Sequence, residues 1–471
     1  MVIKLNFSLS SMYTLYHMDD TSIIRNRDEL ETTLLRKRAL DIIEAGISRV
    51  LPSKIIRSAL NYDKTLDILE INSDRHDLSE DRIFVVGGGK ASGLMAEVLE
   101  CIIPPERITA GVINCKKGSG SYNTKKIEII EAGHPVPDSN GIDGVNRMLA
   151  MKDIYSINAN DLVLCLISGG GSALMPCPVD GVTLEDKQAV TGLLLECGAE
   201  IHEINTVRKH LSKTKGGGLG KHFQPARVVS LIISDVTGND LDVIASGPTS
   251  PDSSTFDDAY SVLEKYNLIS KIPGSILSYL DLGRKEQVPE TPKTLDNCRN
   301  YIIGDNMLAL EAMAEKAVEL GLKPYIVTSV QKGDTVAAAR MRAEEIIKGK
   351  YADYNVVILG GETTPTLPED HGIGGRNQHY AAVSMHYMND YPGEWTIASA
   401  GTDGSDYLPD VAGAIVDNHS LVYARNNGIE ITSYIKRFDS NILFSEMGNS
   451  LIITGNTGTN VGDIIVYIMK N

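Results

Sequence analysis

The chain has 471 residues, 42% of them hydrophobic and only one of them Trp, which calls for two or three domains rather than one core. Its 45 basic and 61 acidic residues leave a net charge of −16, which argues against a nucleic-acid surface. No apolar run approaches ~20 residues, so the pattern contains no membrane-spanning stretch.

The first residues, MVIKLNFSLSSMYTLYHMDD, offer Lys4 as their only basic residue and no small-residue cleavage site, so a signal peptide is not expected. Residues 1–26 read as a tail, with Met18 an alternative start. Six cysteines (Cys101, Cys115, Cys165, Cys177, Cys197, Cys298) form no CxxC pair, and several sit inside apolar runs as small hydrophobes, which fits a reducing cytoplasm.

From residue 27 to 60, Leu30, Leu34, Leu35, Ile42, Ile43 and Ile47 recur at helical spacing, so one or two amphipathic helices open the chain. A strand at Arg82–Val86 runs into the glycine turn GGGKASG. Further strands follow at 110–114, 127–132 and 162–167, with a helix near 140–154. Helical pattern resumes at 184–198 and 207–215, and a buried strand, 228–234, ends in Asp235. This alternation predicts a parallel, doubly wound sheet. Beyond Pro248 the texture becomes proline-punctuated, with Pro251, Pro273, Pro289 and Pro292 in a more polar helical connection. A second series then begins: strands at 301–304, 325–328, 356–359, 395–398, 413–416 and 464–468, with helices at 307–320 and 335–347. The expected fold is two α/β domains, 27–270 and 271–471.

The chemistry concentrates at glycine-rich strand ends. LVLCLISGGGSA (Leu162–Ala173) is an unbroken apolar strand cut off by Ser168, Gly169, Gly170, Gly171 and Ser172. Successive glycines leave amide N–H groups uncovered where ligands bind in open α/β sheets, so this loop is a candidate phosphate or carboxylate cradle; a tight strand-to-helix turn is the alternative. Gly87, Gly89 and Gly93 imitate a dinucleotide fingerprint, but Ser92 replaces its third glycine and the next strand ends in Asn114 without a ribose-binding acid. Lys90, on that turn, suits a negative ligand instead. GGGLGKH (Gly216–His222) fails the Walker A spacing and reads as a helix break. The basic cluster Arg208, Lys209, His210, Lys213, Lys215 is either a solvated helix face or an anion-facing surface.

Asp235, at a buried strand's C-terminal edge, is placed for metal binding or proton abstraction; Asp240 and Asp242 are weaker candidates. Glu362 follows the strand VVILGG, Arg376 follows two glycines as a candidate phosphate clamp, and Asp403 and Asp406 lie in ASAGTDGSD. Backbone cradles, cations and carboxylates together are what phosphoryl transfer needs.

Seven stretches, SGGGSAL (168–174), NTVRKHLSKTKGGGL (205–219), SDVTGNDLDVIASGPTSPD (234–252), GGETT (360–364), GGRNQ (374–378), GTDGSD (401–406) and TGTNVGD (457–463), resemble the class II (MOFRL-type) glycerate kinases, in the family's order over roughly residues 30–470. The resemblance implies a Rossmann-like N-terminal domain, a C-terminal α/β domain, and a site in the cleft between them. It further implies ATP-dependent phosphorylation of D-glycerate at O2 to 2-phosphoglycerate, with Lys90, Asp235 and Arg376 catalytic. On this reading ATP is held by Ser168, Gly169, Gly170, Gly171, Ser172, Lys213, Glu362 and Asp403, and Mg²⁺ by Asp235. The partners are D-glycerate and ATP, with no nucleic acid and no membrane; a homodimer is one open assembly. The chain departs from the family at Asn239, His379, Tyr407, Gly218 and Asn456, none of them a central residue. The rival reading is a hydroxypyruvate reductase, which needs the nicotinamide site that the defective fingerprint does not provide.

Overall fold

The computed structural model describes residues 22–470. Met18 and most of the expected tail lie outside the described residues. Residues 22–26 are docked rather than loose: Ile24 is buried, the Arg25 amide donates to the Ile453 carbonyl at 2.7 Å, and Asn26 bonds to Leu451 and Ile453.

The helix Leu34–Arg49 buries Leu40, Ile42, Ile43 and Ile47. It packs on the helix Asn306–Glu319, so closely that a Cβ on Gly46 would lie 2.7 Å from Met313 Cγ. Buried Arg36 on the same helix reaches the Asp417 carboxylate at 2.8 Å and the Ser420 hydroxyl at 2.9 Å. The first long helix therefore serves the second half of the chain. A small antiparallel meander follows: β1 (Leu60–Asp63), β2 (Ile68–Ile71) and β3 (Asp74–Asp77). These four-residue strands, too short for a clear period and polar in β3, escaped the periodicity reading.

The first large sheet contains β4 (Arg82–Gly88), β5 (Ile108–Lys116), β6 (Ile127–Ala132), β7 (Asp161–Ser168), β8 (Arg227–Ile233) and β9 (Cys298–Gly304). They are all parallel, in the order β6-β5-β4-β7-β8-β9. Every residue of β7 is buried, as both-face coverage by helices requires. The strand expected to begin the second domain is thus the last strand of the first sheet. The expected limits, 27–270 and 271–471, do not coincide with the sheets, because the helix at 34–49 crosses one way and β9 the other.

The second sheet contains β10 (Pro324–Gln331), β11 (Val356–Gly361), β12 (Glu394–Gly401), β13 (Gly413–Asp417), β14 (Leu451–Ile452) and β15 (Asp463–Lys470), in the order β10-β11-β15-β12-β13-β14. Only β10 and β11 pair in parallel; β15 runs antiparallel between β11 and β12. One apolar cluster joins Val85 and Leu164 of the first sheet, through Ile43 and Met313 of the two helices, to Ile358 and Val466 of the second. Both sheets are α/β, and their site-bearing edges are held by a shared core.

Candidate active site

Strand order explains which residues meet. In a parallel sheet all C-terminal ends share one edge, and β4, β7 and β8 are neighbours, so the Lys90 turn, the SGGGS loop and Asp235 fall side by side. In the second sheet β15 is antiparallel to both flanking strands, and Gly361 and Gly401 each pair with Asp463. Glu362, Asp403 and Asp463 are therefore brought to one edge too. Between the two edges lies a cavity of about 410 Å³ whose lining includes Lys90, Asp235, Glu362, Arg376, Asp403 and Asp406.

The Lys90 amide donates to the Gly169 carbonyl at 2.8 Å, and its ammonium crosses the cleft to stand 3.8 Å from Asp403 Oδ2. Asp235 accepts a hydrogen bond from Asn460 at 3.3 Å. Burial pushes the Asp235 carboxyl up to about 6; Lys90 opposes the rise, while the charges of Glu362 and Asp403 add to it. Gly169 must be glycine for this arrangement, since a Cβ there would sit 2.0 Å from Asp235 Oδ2.

Arg376 opens the helix Arg376–Tyr387. Its Nε and Nη2 grip both oxygens of Asp463 at 2.6 and 3.1 Å, and Nη1 meets Glu362 at 2.6 Å. Burial alone would depress the guanidinium, but Asp463 and Glu362 outweigh it and raise its pKa. The expected open phosphate clamp is thus a fork already fixed by two carboxylates, with its remaining N–H groups left for a ligand. Asp406, buried beneath, accepts the Asn377 and Gln378 amides at the same helix start; burial still pushes it up to about 6.

Three parts of the expected nucleotide site are placed differently. The Ser168 hydroxyl is buried and accepts the Ala91 amide at 3.0 Å, facing the β4 turn rather than the cleft. The Ser172 hydroxyl is engaged by Ser246 at 2.8 Å, Arg208 at 2.5 Å and Lys215 at 2.9 Å. Lys213 points outward and pairs with Asp180 at 2.6 Å. The loop amides do fit a cradle: those of Gly170, Gly171 and Ser172 donate to no carbonyl or side chain among the described residues. Gly170 takes a left-handed φ of +78° that makes the turn.

The basic cluster is mostly interior, not a solvated face. Lys209 is buried against Asp242 at 2.6 Å and Asp252 at 3.3 Å, and Lys215 is buried beneath Ser172. Asp240 and Asp242 lie beside His202, outside the cleft lining. The glycines of GGGLGKH do break the helix, Gly216 and Gly217 both having positive φ.

Sequence reasoning missed the working part of Asp463 and the environment of His379. Asp463 opens an otherwise apolar strand, DIIVYIM, which is the signal that could have found it. The His379 ring stacks on Phe438 at 4.2 Å between centroids, with neither ring nitrogen bonded among the described residues; burial pushes its pKa down to about 4.

The donor set suits a hard cation: Asp235, Glu362 and Asp403 all offer carboxylate oxygens, and their mutual repulsion at Asp235 is what a cation would relieve. As placed, they are not gathered within 4.8 Å of one another as a closed protein cage would be. A hard cation held there would take one or two of these carboxylates and complete its shell with oxygens of a ligand.

The family profile described as "Domain of unknown function (DUF4147)" matches residues 38–281, and the one described as "MOFRL family" matches residues 355–463. The Pyrococcus horikoshii "Glycerate 2-kinase" is 39% identical over 92% of this chain and 98% of its own. The Thermotoga maritima "D-glycerate 2-kinase" is 38% identical over 92% and 98%. A crystal structure of the Thermotoga maritima glycerate kinase superposes with a TM-score of 0.81 at 37% identity, over 92% of this chain and 99% of that one. Cleft, glycine loop and full-length likeness agree, and the chain belongs to the class II, MOFRL-type family of glycerate kinases.

Proposed function

We propose that the protein transfers the γ-phosphoryl group of ATP to the 2-hydroxyl of D-glycerate, releasing ADP and 2-phospho-D-glycerate. The observation that carries this reading is Asp235, a carboxylate of raised proton affinity beside Lys90 in the cleft between the two sheets. A base with a pKa of about 6 remains ionised at neutral pH yet accepts a proton readily. The substrate's O2 attacks phosphorus, the bond from phosphorus to the β–γ bridging oxygen breaks, and the hydroxyl proton passes to Asp235. Lys90, reaching across to Asp403, supplies positive charge to the transferring group. Arg376, its fork fixed by Asp463, presents its remaining N–H groups to the substrate carboxylate. Asp403 and Glu362 are the residues that would hold Mg²⁺, which supplies neutralisation of the phosphoryl oxygens. Of the two roles expected for Asp235, metal ligand and proton acceptor, this reading takes the second, supported by its raised proton affinity. Six unpaired thiols support a reducing compartment, the cytoplasm.

Two Agrobacterium vitis relatives, 38% identical over 81% of this chain, carry a provisional hydroxypyruvate reductase name. Against that activity here, Asn114 near the C-terminal end of β5 spends its buried amide on the Gly141 and Leu174 carbonyls at 2.8 and 2.7 Å, and β5 ends in Cys115 and Lys116 with no acid to hold a ribose. ADP release from ATP and D-glycerate, run beside NADH consumption with hydroxypyruvate, separates the two. The kinase reading requires the first signal and no second; NADH consumption without ADP release overturns it.

A further inference from the structure

We propose that the cavity on the far side of the glycine loop, walled by Lys187, Arg208 and Lys215, binds the polyphosphate and base of the nucleotide. This rests on the kinase reading and extends it to residues outside the cleft cavity. The cavity measures about 240 Å³, and Ser172 is where it meets the loop.

Part of the lining is basic without compensation. Lys187 is only 8% exposed, and its ammonium has no hydrogen-bond partner among the described residues. Lys215 is 3% exposed and donates to the Ser172 carbonyl at 2.7 Å and hydroxyl at 2.9 Å. Arg208 donates to the same hydroxyl at 2.5 Å. No carboxylate lines the cavity. Burial, with Arg208 adding, pushes Lys187 down to about 7, and Lys215 is depressed by burial and by both neighbouring cations. Three basic groups with no counter-charge are costly to keep ionised together, and an anionic ligand is what makes their charged forms favourable.

The rest of the lining is largely apolar: Pro135, Val136, Pro137, Leu184 and Leu195 take part in it, and Val136 and Leu195 are each more than 60% exposed. Gln188 holds this wall by donating to the Pro137 carbonyl at 2.8 Å. D-Glycerate has one carboxylate and no apolar surface, so it could meet the cations but leaves the apolar lining uncovered. A nucleoside polyphosphate answers both, with its base against the prolines and leucines and its phosphates on the cations. The loop from Ser172 back to Gly169 ends against Asp235, so phosphates following it bring the terminal group to Lys90 and Asp235.

The test is calorimetric titration with ADP, which needs no turnover, on the wild type, Lys187→Met and Leu195→Trp. Lys187→Met removes an ammonium that makes no bond, so the fold should persist with an unchanged or higher Tm. ADP affinity should fall at least tenfold in Lys187→Met and clearly in Leu195→Trp, which crowds the apolar lining, while the KM for D-glycerate stays put. ADP affinity within twofold of wild type in both variants overturns the proposal. So does a raised KM for D-glycerate with ADP binding intact, which would make this the acceptor's site. A wild type that binds ADP in this cavity but phosphorylates no glycerate would defeat the kinase reading and leave the nucleotide site standing.

Discussion

Asp235→Asn tests the raised carboxyl through stability and rate together. The carboxyl moves from an ordinary 3.8 to about 6, roughly two units, or about 3 kcal/mol against the ionised form. The side chain borders the open cleft, so water trims this to about 1–2 kcal/mol. Because the folded pKa lies above the unfolded one, the native state holds its proton more tightly. Ionisation therefore costs stability progressively as pH rises from about 4 through 6, fully so at pH 8. Asparagine mimics the protonated form at every pH. Urea denaturation should find the variant about 1–2 kcal/mol more stable at pH 8 and no more stable near pH 3.5, while kcat falls by about 10²–10⁴ through loss of the base. A variant less stable at pH 8 would refute the electrostatics, and one keeping a tenth of the activity would refute the role.

Gly169→Ala puts a methyl group 2.0 Å from Asp235 Oδ2, so kcat should drop at least tenfold, measured by ADP release, with about 1–3 kcal/mol of stability lost to overpacking. Arg376→Lys keeps the charge but cannot grip both Asp463 oxygens and Glu362 together; activity should fall more than tenfold and thermal melting should show a loss of about 1–3 kcal/mol. Lys209→Met strands Asp252, 1% exposed, without its cation; chemical denaturation should show about 3–5 kcal/mol lost, while the KM values of the folded fraction stay near wild type.

The strands of the first sheet were legible because burial on both faces makes β4, β7 and β8 continuous apolar runs ending in glycine or Asp235. The meander at 60–77 was not, since strands such as DRHD carry no apolar pattern. The membership of β9 in the first sheet is not legible, because a proline-rich helical connection separates it from β8 and partnership across such a connection is decided by tertiary packing rather than local pattern. Residue type and strand-end position found Lys90, Asp235, Glu362, Arg376 and Asp403, all of which line one cavity. Side-chain direction was beyond the sequence: Ser168 and Ser172 looked like equivalent donors, yet one faces the β4 turn and the other the cation pocket. Lys187 reads as an ordinary helical surface lysine, and only the fold shows that its ammonium is buried and unpaired.

The central claim is that this cleft phosphorylates the 2-hydroxyl of D-glycerate. Phosphorus NMR of the product formed from ATP and D-glycerate reports the position directly, because the phosphorus couples to one carbon-bound proton in the 2-ester and to two in the 3-ester. The kinship with glycerate 2-kinases predicts 2-phosphoglycerate, its signal appearing with ADP and absent in Asp235→Asn. A 3-phosphoglycerate signal, or unchanged ATP after prolonged incubation, would contradict it.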